Sequence, residues 1–214
     1  MKGKIYGFVG VIGSGKSYRA NQVIEETRKE KNGCVVMGDF SEGIRRFAMV
    51  VLAGLSRPIN ILSNEYSDWK NTEFEVPLPY SDQKSITLSG RQILKNVGEG
   101  LKEVLGPDIW ARWTENDIIS TLNHISIGMT KEQGDAIKIV FGSVRFPIEA
   151  KVLFDLAAKM DREVEIIFCD YKSSVYELFP HVSEKFAQRF IEMGYKDGDN
   201  ITDVVREIVE KEVS

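Results

Sequence analysis

The stretch Gly10-Val11-Ile12-Gly13-Ser14-Gly15-Lys16-Ser17 satisfies the pattern G-x-x-x-x-G-K-[ST] at every position. Each residue type in it has a chemical reason. Glycines let successive backbone N–H groups converge on one anion, and a helix that starts at the end of the loop points its positive end at the same place. A lysine at position 16 adds charge where β and γ phosphates would lie, and the Ser17 hydroxyl can coordinate Mg²⁺. Gly10, Gly13, Ser14, Gly15, Lys16 and Ser17 are therefore the candidate nucleotide-binding residues, with ATP and Mg²⁺ expected in the site. With glycine at about 7% of residues, chance gives such a match roughly once in a hundred chains of this size, before any flanking structure is demanded.

The motif needs a strand before it and a helix after it. Lys4 to Val9 is a short apolar run bounded by glycine, which predicts a buried strand. From Ser17 the positions Ala20, Val23, Ile24 and Thr27 recur at helical spacing, and Asn32-Gly33 supplies a stop. A second strand is expected over Cys34 to Met37 and a second helix over Ile44 to Leu55, ended by Ser56-Arg57-Pro58. Arg57 to Lys84 shows no sustained period and carries three prolines and several aromatics, so it reads as irregular. Helices are expected again over Arg91 to Leu105 and from Pro107 to about His124. The remainder alternates: strand Ala136 to Phe141, helix Pro147 to Met160, strand Glu163 to Cys169, then helices Ser183 to Met193 and Thr202 to Val213 around the turn-rich 194–200. Such alternation implies a mostly parallel sheet covered on both faces.

Composition narrows the classes. The 214 residues are 43% hydrophobic and 28% charged, with 28 Lys and Arg against 32 Asp and Glu for a net charge of −4. That balance excludes a disordered chain and argues against a protein whose affinity comes from neutralising nucleic-acid phosphates. The two cysteines, Cys34 and Cys169, each sit in an apolar run and read as reduced core residues, as in a reducing cytoplasm. The N-terminal Met1-Lys2-Gly3-Lys4 and the apolar residues after it superficially resemble a signal sequence, but glycines break the run, no cleavage site follows, and it leads straight into the loop. No apolar run approaches about 18 residues, so no membrane-spanning helix is expected. The chain lacks Asn-Lys-x-Asp and Asp-x-x-Gly, which argues against a GTPase. Asp170, after Ile166-Ile167-Phe168-Cys169, ends an apolar strand and is either a metal-directed carboxylate or a solvated strand end.

Further stretches occur in order: Gly90-Arg91-Gln92-Ile93-Leu94-Lys95-Asn96-Val97-Gly98, Gly106-Pro107-Asp108-Ile109-Trp110, Val144-Arg145-Phe146-Pro147-Ile148-Glu149-Ala150, and His181-Val182-Ser183-Glu184. With the loop, they make the chain resemble the bacteriophage-type deoxynucleoside monophosphate kinases, within the P-loop nucleoside monophosphate kinases. The resemblance implies a three-layer α/β P-loop fold with a mostly parallel sheet, built as one domain over 1–214, with an acceptor-binding insertion at 57–135 and a lid at about 170–185. It implies transfer of the ATP γ-phosphoryl group to the 5′-phosphate of a deoxynucleoside monophosphate. Arg91 and Arg145 match the family's arginines and become candidate catalytic and acceptor-binding residues, since a planar guanidinium suits phosphate oxygens. Arg45, with Arg46 as its alternative, occupies a basic position at the start of the second helix. Asp39 is a candidate metal-directed or acceptor-orienting carboxylate, or simply a helix N-terminal acid. Trp110, with Trp69, Phe74 and Tyr80, is a candidate base-stacking residue, or core. The implied location is the cytoplasm, of a host cell if the chain is phage-encoded.

Two positions depart from the family. Ser143 stands where the family has an Asp before Val-Arg-Phe, so the carboxylate charge beside the loop is missing from that position. Asp170-Tyr171-Lys172 replaces a stretch that often holds an arginine, leaving Lys172 as the local cation. Two alternatives therefore stay open: a P-loop kinase for another acceptor such as dephospho-coenzyme A, and a nucleotide-binding protein that transfers nothing. The histidines, His124 and His181, are too dispersed for a metal site, though His181 could touch a ligand from a lid.

Overall fold

The computed structural model describes residues 2–31, 33–54, 71, 73–77, 85–171 and 184–213. They form two compact units, Met1–Phe40 with Ala111–Ser214, and Ser41–Trp110.

The first unit is an α/β sandwich of three layers. Its sheet joins β1 (Ile5–Val9), β2 (Val35–Gly38), β5 (Lys138–Val144) and β6 (Val164–Phe168) in the order β2-β5-β1-β6, with all neighbours parallel. The residue alternation of a strand explains the layering. Ile5, Val9, Ile139, Phe141, Ile166 and Phe168 face one side and pack with helices α4 (Ile109–Ile125), α6 (Pro147–Met160), α7 (Lys185–Glu192) and α8 (Thr202–Glu212). Phe8, Val140 and Cys169 face the other and meet Ala20 and Ile24 of α1 (Lys16–Lys29). Strands covered on both faces read as near-continuous apolar runs, which is why they stand out in the sequence. Because β5 inserts between β1 and β2, the carboxyl ends of three strands lie side by side, the edge where open α/β sheets bind ligands.

The second unit holds α2 (Glu42–Gly54), an antiparallel hairpin of β3 (Glu73–Pro77) and β4 (Ser85–Ser89), and α3 (Gly90–Leu105) around Ala48, Phe74 and Ile93. Ser89 caps α3 with a reciprocal box to Gln92.

Some expectations of secondary structure are corrected. The span 57–84 is not wholly irregular: β3 lies inside it, pairing Phe74 with Leu88 and Val76 with Ile86. A short helix, α5 (Lys131–Ala136), capped by Thr130, takes up the start of the strand expected over Ala136–Phe141, which runs instead from Lys138 to Val144. The expected insertion at 57–135 straddles the boundary between units, because Ala111, Ile118 and Leu122 of α4 are buried in the core of the sheet-bearing unit. Most of the expected lid at about 170–185, including Lys172 and His181, lies outside the described residues, as do Trp69 and Tyr80.

Candidate functional site

Residues 10–15 connect β1 to α1 at the carboxyl edge of the sheet. Two of its glycines adopt backbone angles that L side chains rarely reach, Gly13 at φ 81° and Gly15 at φ 87°. Gly10 is needed for a different reason. A Cβ there would stand 2.4 Å from the Cys169 carbonyl oxygen and 2.4 Å from Ser14 Oγ. The far side of the loop is braced by the segment leaving β6: the Cys169 N–H donates to Val9 O at 2.8 Å and the Tyr171 N–H to Ser14 O at 3.1 Å.

Lys16 opens α1 and folds back over the loop, Nζ donating to Gly10 O and Val11 O, each at 2.6 Å. Burial, with the positive charge of Arg145 as the second cause, pushes its ammonium down to about 8. Such a cation gains on meeting an anion. Ser17 is exposed at the start of the same helix. Ser14 Oγ is buried without a hydrogen-bond partner, an orphan polar atom within the loop. These features fit a nucleotide phosphate chain.

The neighbouring strand ends contribute the charged groups. Ser143 is the second-last residue of β5, and its Oγ accepts from Arg145 Nε at 3.1 Å. The Arg145 N–H donates to Glu149 Oε2 at 2.6 Å, so the third residue of α6 secures the turn that carries the arginine. Burial pushes the Glu149 carboxyl up to about 7; the N–H groups of Arg145 and Phe146 and the Arg145 charge pull it down, and Asp39 raises it further. Asp39 follows β2 directly, one residue beyond the Gly38–Phe141 register pair, on the same edge as Ser143. Among the described residues no group of three or more His, Cys, Asp or Glu side chains could hold a metal ion. Mg²⁺ does not need one, because it keeps waters and uses one or two protein ligands with substrate phosphates. Ser17 and Asp39 suit that donor set in kind.

At the end of β6, Asp170 has one carboxylate oxygen buried and unpartnered, and burial with Asp197 nearby raises its pKa. Asp197 accepts from the Asp170 N–H at 3.0 Å and from Arg19 Nη2 at 2.6 Å, tying the 194–200 turn to α1.

The other candidates belong to the second unit. Arg91 is exposed in the first turn of α3. Arg45 Nη1 donates to Ser41 Oγ at 2.6 Å, while Arg46 pairs with Glu42 at 2.6 Å. Trp110 is only 5% exposed, gives its indole N–H to Gly98 O at 3.0 Å and meets Phe47 edge to face, so its ring is spent on packing, and Phe74 is likewise core. The structure thus brings Lys16, Ser17, Asp39, Ser143 and Arg145 to one edge of the sheet-bearing unit. Sequence reasoning names Glu184 only within the His181-Val182-Ser183-Glu184 stretch and gives it no role; its Oε1 accepts from the Ile12 N–H at 3.1 Å. A groove of about 810 Å³ lined by Lys4, Phe154, Arg162, Glu165 and Arg206 lies at the opposite edge of the sheet. There Lys4 pairs with Glu165, and Arg206 lies over the Phe154 ring.

Cys169 is buried and its thiol pushed up to about 11 by that burial, and Cys34 is also unbridged. No helix among the described residues is long and apolar enough to cross a membrane.

No protein-family model matches the chain, and a search of curated proteins finds no match. Among solved structures, an APS kinase, CysC, of Mycobacterium tuberculosis is similar over 90% of this chain and 98% of its own, at 16% identity and a TM-score of 0.34. The functional reading therefore rests on the loop and its neighbours.

Proposed function

We propose that the chain is a P-loop phosphotransferase that moves the γ-phosphoryl group of ATP to the 5′-phosphate of a deoxynucleoside monophosphate, giving the diphosphate and ADP. The observation that carries the reading is the loop of residues 10–17, with its left-handed glycines, the orphan Ser14 hydroxyl and a desolvated Lys16, flanked by Arg145 from the next strand. In this reading Lys16 and the loop N–H groups hold the β and γ phosphates, and Arg145 meets the charge that spreads over the transferring group. Arg91 and Arg45 bind the acceptor phosphate, which is the role proposed for the second unit. Asp39 and Ser17 would hold Mg²⁺ through their oxygens, and the ion supplies charge neutralisation across the phosphates when bound. Positioning and electrostatics carry phosphoryl transfer, so a site with few covalent tools suffices.

The test is to incubate the protein with Mg·ATP and each of the four deoxynucleoside monophosphates and to separate the products. Equal amounts of ADP and the matching deoxynucleoside diphosphate are expected with one or two of the four. ADP formed with none of them would overturn the acceptor assignment.

Ser143 favours a second reading, a nucleotide-binding protein without transfer. Its hydroxyl stands at the strand end and is engaged with Arg145, supplying no negative charge there.

A further inference from the structure

We infer that Glu184 is an internal competitor for the nucleotide-binding loop, occupying with its carboxylate the Ile12 N–H that a bound phosphate would have to take from it. The inference rests on the P-loop reading and adds to it a residue that sets how strongly the loop accepts anions.

Glu184 sits at the N-cap of α7, where an acidic side chain ordinarily accepts an N–H of its own helix. It makes no such bond. Its carboxylate reaches instead across 172 positions of sequence to the loop, accepting the Ile12 N–H at 3.1 Å, and the residue is only 9% exposed. A glutamate is rarely buried without a partner, and here the partner is a backbone donor of an anion-binding loop. Lys16, the loop's cation, is close enough to feel the same carboxylate. The Ile12 N–H of the loop is thus held by an anion the protein supplies, while the ammonium of Lys16 donates to the carbonyls of Gly10 and Val11.

Two costs follow for a phosphate entering the loop. It must replace a charge-assisted hydrogen bond, which is about twice as strong as a neutral one. It must also approach a carboxylate of its own sign that is itself largely withdrawn from water. Neutral glutamine at the same position can keep the geometry through its carbonyl oxygen while removing the charge. The consequence for selection is that ligands with more phosphate charge to offer the loop and Lys16 overcome the competitor, and singly phosphorylated ones do not.

The experiment is calorimetric titration of the full chain with ATP, with and without Mg²⁺, for the unaltered protein, Glu184→Gln and Glu184→Ala, alongside thermal melts. Glu184→Gln is expected to bind ATP about tenfold more tightly, in line with losing one charged contact of opposing sign. Glu184→Ala, if its melt remains cooperative, is expected to change in the same direction. Unchanged or weaker binding by Glu184→Gln overturns the inference, and weakening confined to Mg²⁺ would assign Glu184 to the metal instead. ATP binding by the unaltered protein with no gain in either variant sinks the inference alone, whereas no ATP binding by any of the three sinks the loop reading with it. Binding by the variants only is the strongest support.

Discussion

Lys16 concentrates the chemistry at the scale of single residues. Its ammonium is partly desolvated and held by two loop carbonyls, so its charge is available and costly until an anion arrives. Replacing it with alanine should reduce ATP binding by at least 100-fold, on the order of the energy of a charge-assisted contact in a site of low dielectric, while the melting temperature stays within a few degrees. Retained binding in that variant would remove Lys16 from the site. The pH dependence has a definite sign. With the ammonium pushed down to about 8 from an ordinary 10.5, ATP affinity should fall as pH rises past about 8. The same shift means that the burden of burying the charge is fully present below about pH 8 and relieved between there and 10.5, so stability rises with pH across that window. Affinity flat to pH 10 would contradict the assignment. Ser143→Asp addresses the missing carboxylate: it should increase the rate of transfer, and an unchanged rate would mean that Asp39 already supplies what the metal needs.

At the scale of elements, the site is the work of a strand-to-helix turn and the ends of two neighbouring strands. Gly10→Ala should destabilise the protein by about 1–3 kcal/mol, the usual cost of overfilling a packed site. The reason is that the added methyl meets the Cys169 carbonyl, a backbone atom that cannot step aside. A thermal melt reads this directly, and an unshifted melt would show that the turn has room. At the start of α6, the Glu149 carboxyl is raised from 4.5 to about 7, so it contributes stability below pH 4.5 that is lost as pH climbs through 7. Glu149→Gln should flatten the melting temperature over that interval, while a slope identical to the parent's would deny that the carboxyl is desolvated. Much of this geometry was legible in the sequence. The loop announced itself by spacing, and β1, α1, α6 and β6 by apolar runs that a sheet covered on both faces requires. Less visible was the hairpin of β3 and β4: each strand has only two apolar positions on one face, with prolines nearby, and a five-residue strand carries too few repeats to declare a period. The Glu184 contact with Ile12 was invisible for another reason, since hydrogen bonds to backbone N–H groups leave no trace in residue type. Trp110 is a different case, an aromatic whose type allows a base platform or core and whose indole N–H is given to Gly98 O while its ring meets Phe47.

At the scale of the whole molecule, the chain divides into a parallel-sheet unit that carries the loop, Asp39, Ser143 and Arg145, and a smaller unit that carries Arg45 and Arg91. In the proposed reaction the first serves the donor and the second the acceptor, and the two roles are separable by kinetics. Arg91→Ala should raise the KM for the acceptor several-fold with little change in ATP affinity, the pattern of a lost ground-state contact. A loss of ATP affinity instead would place that arginine with the donor. The most direct test of the central claim is ADP production from Mg·ATP by the purified protein, with each of the four deoxynucleoside monophosphates, a control without acceptor, and Lys16→Ala in parallel. The account predicts turnover that depends on one or two of the monophosphates and disappears in the variant. ATP bound by the unaltered protein with no acceptor-dependent ADP from any of the four would contradict it.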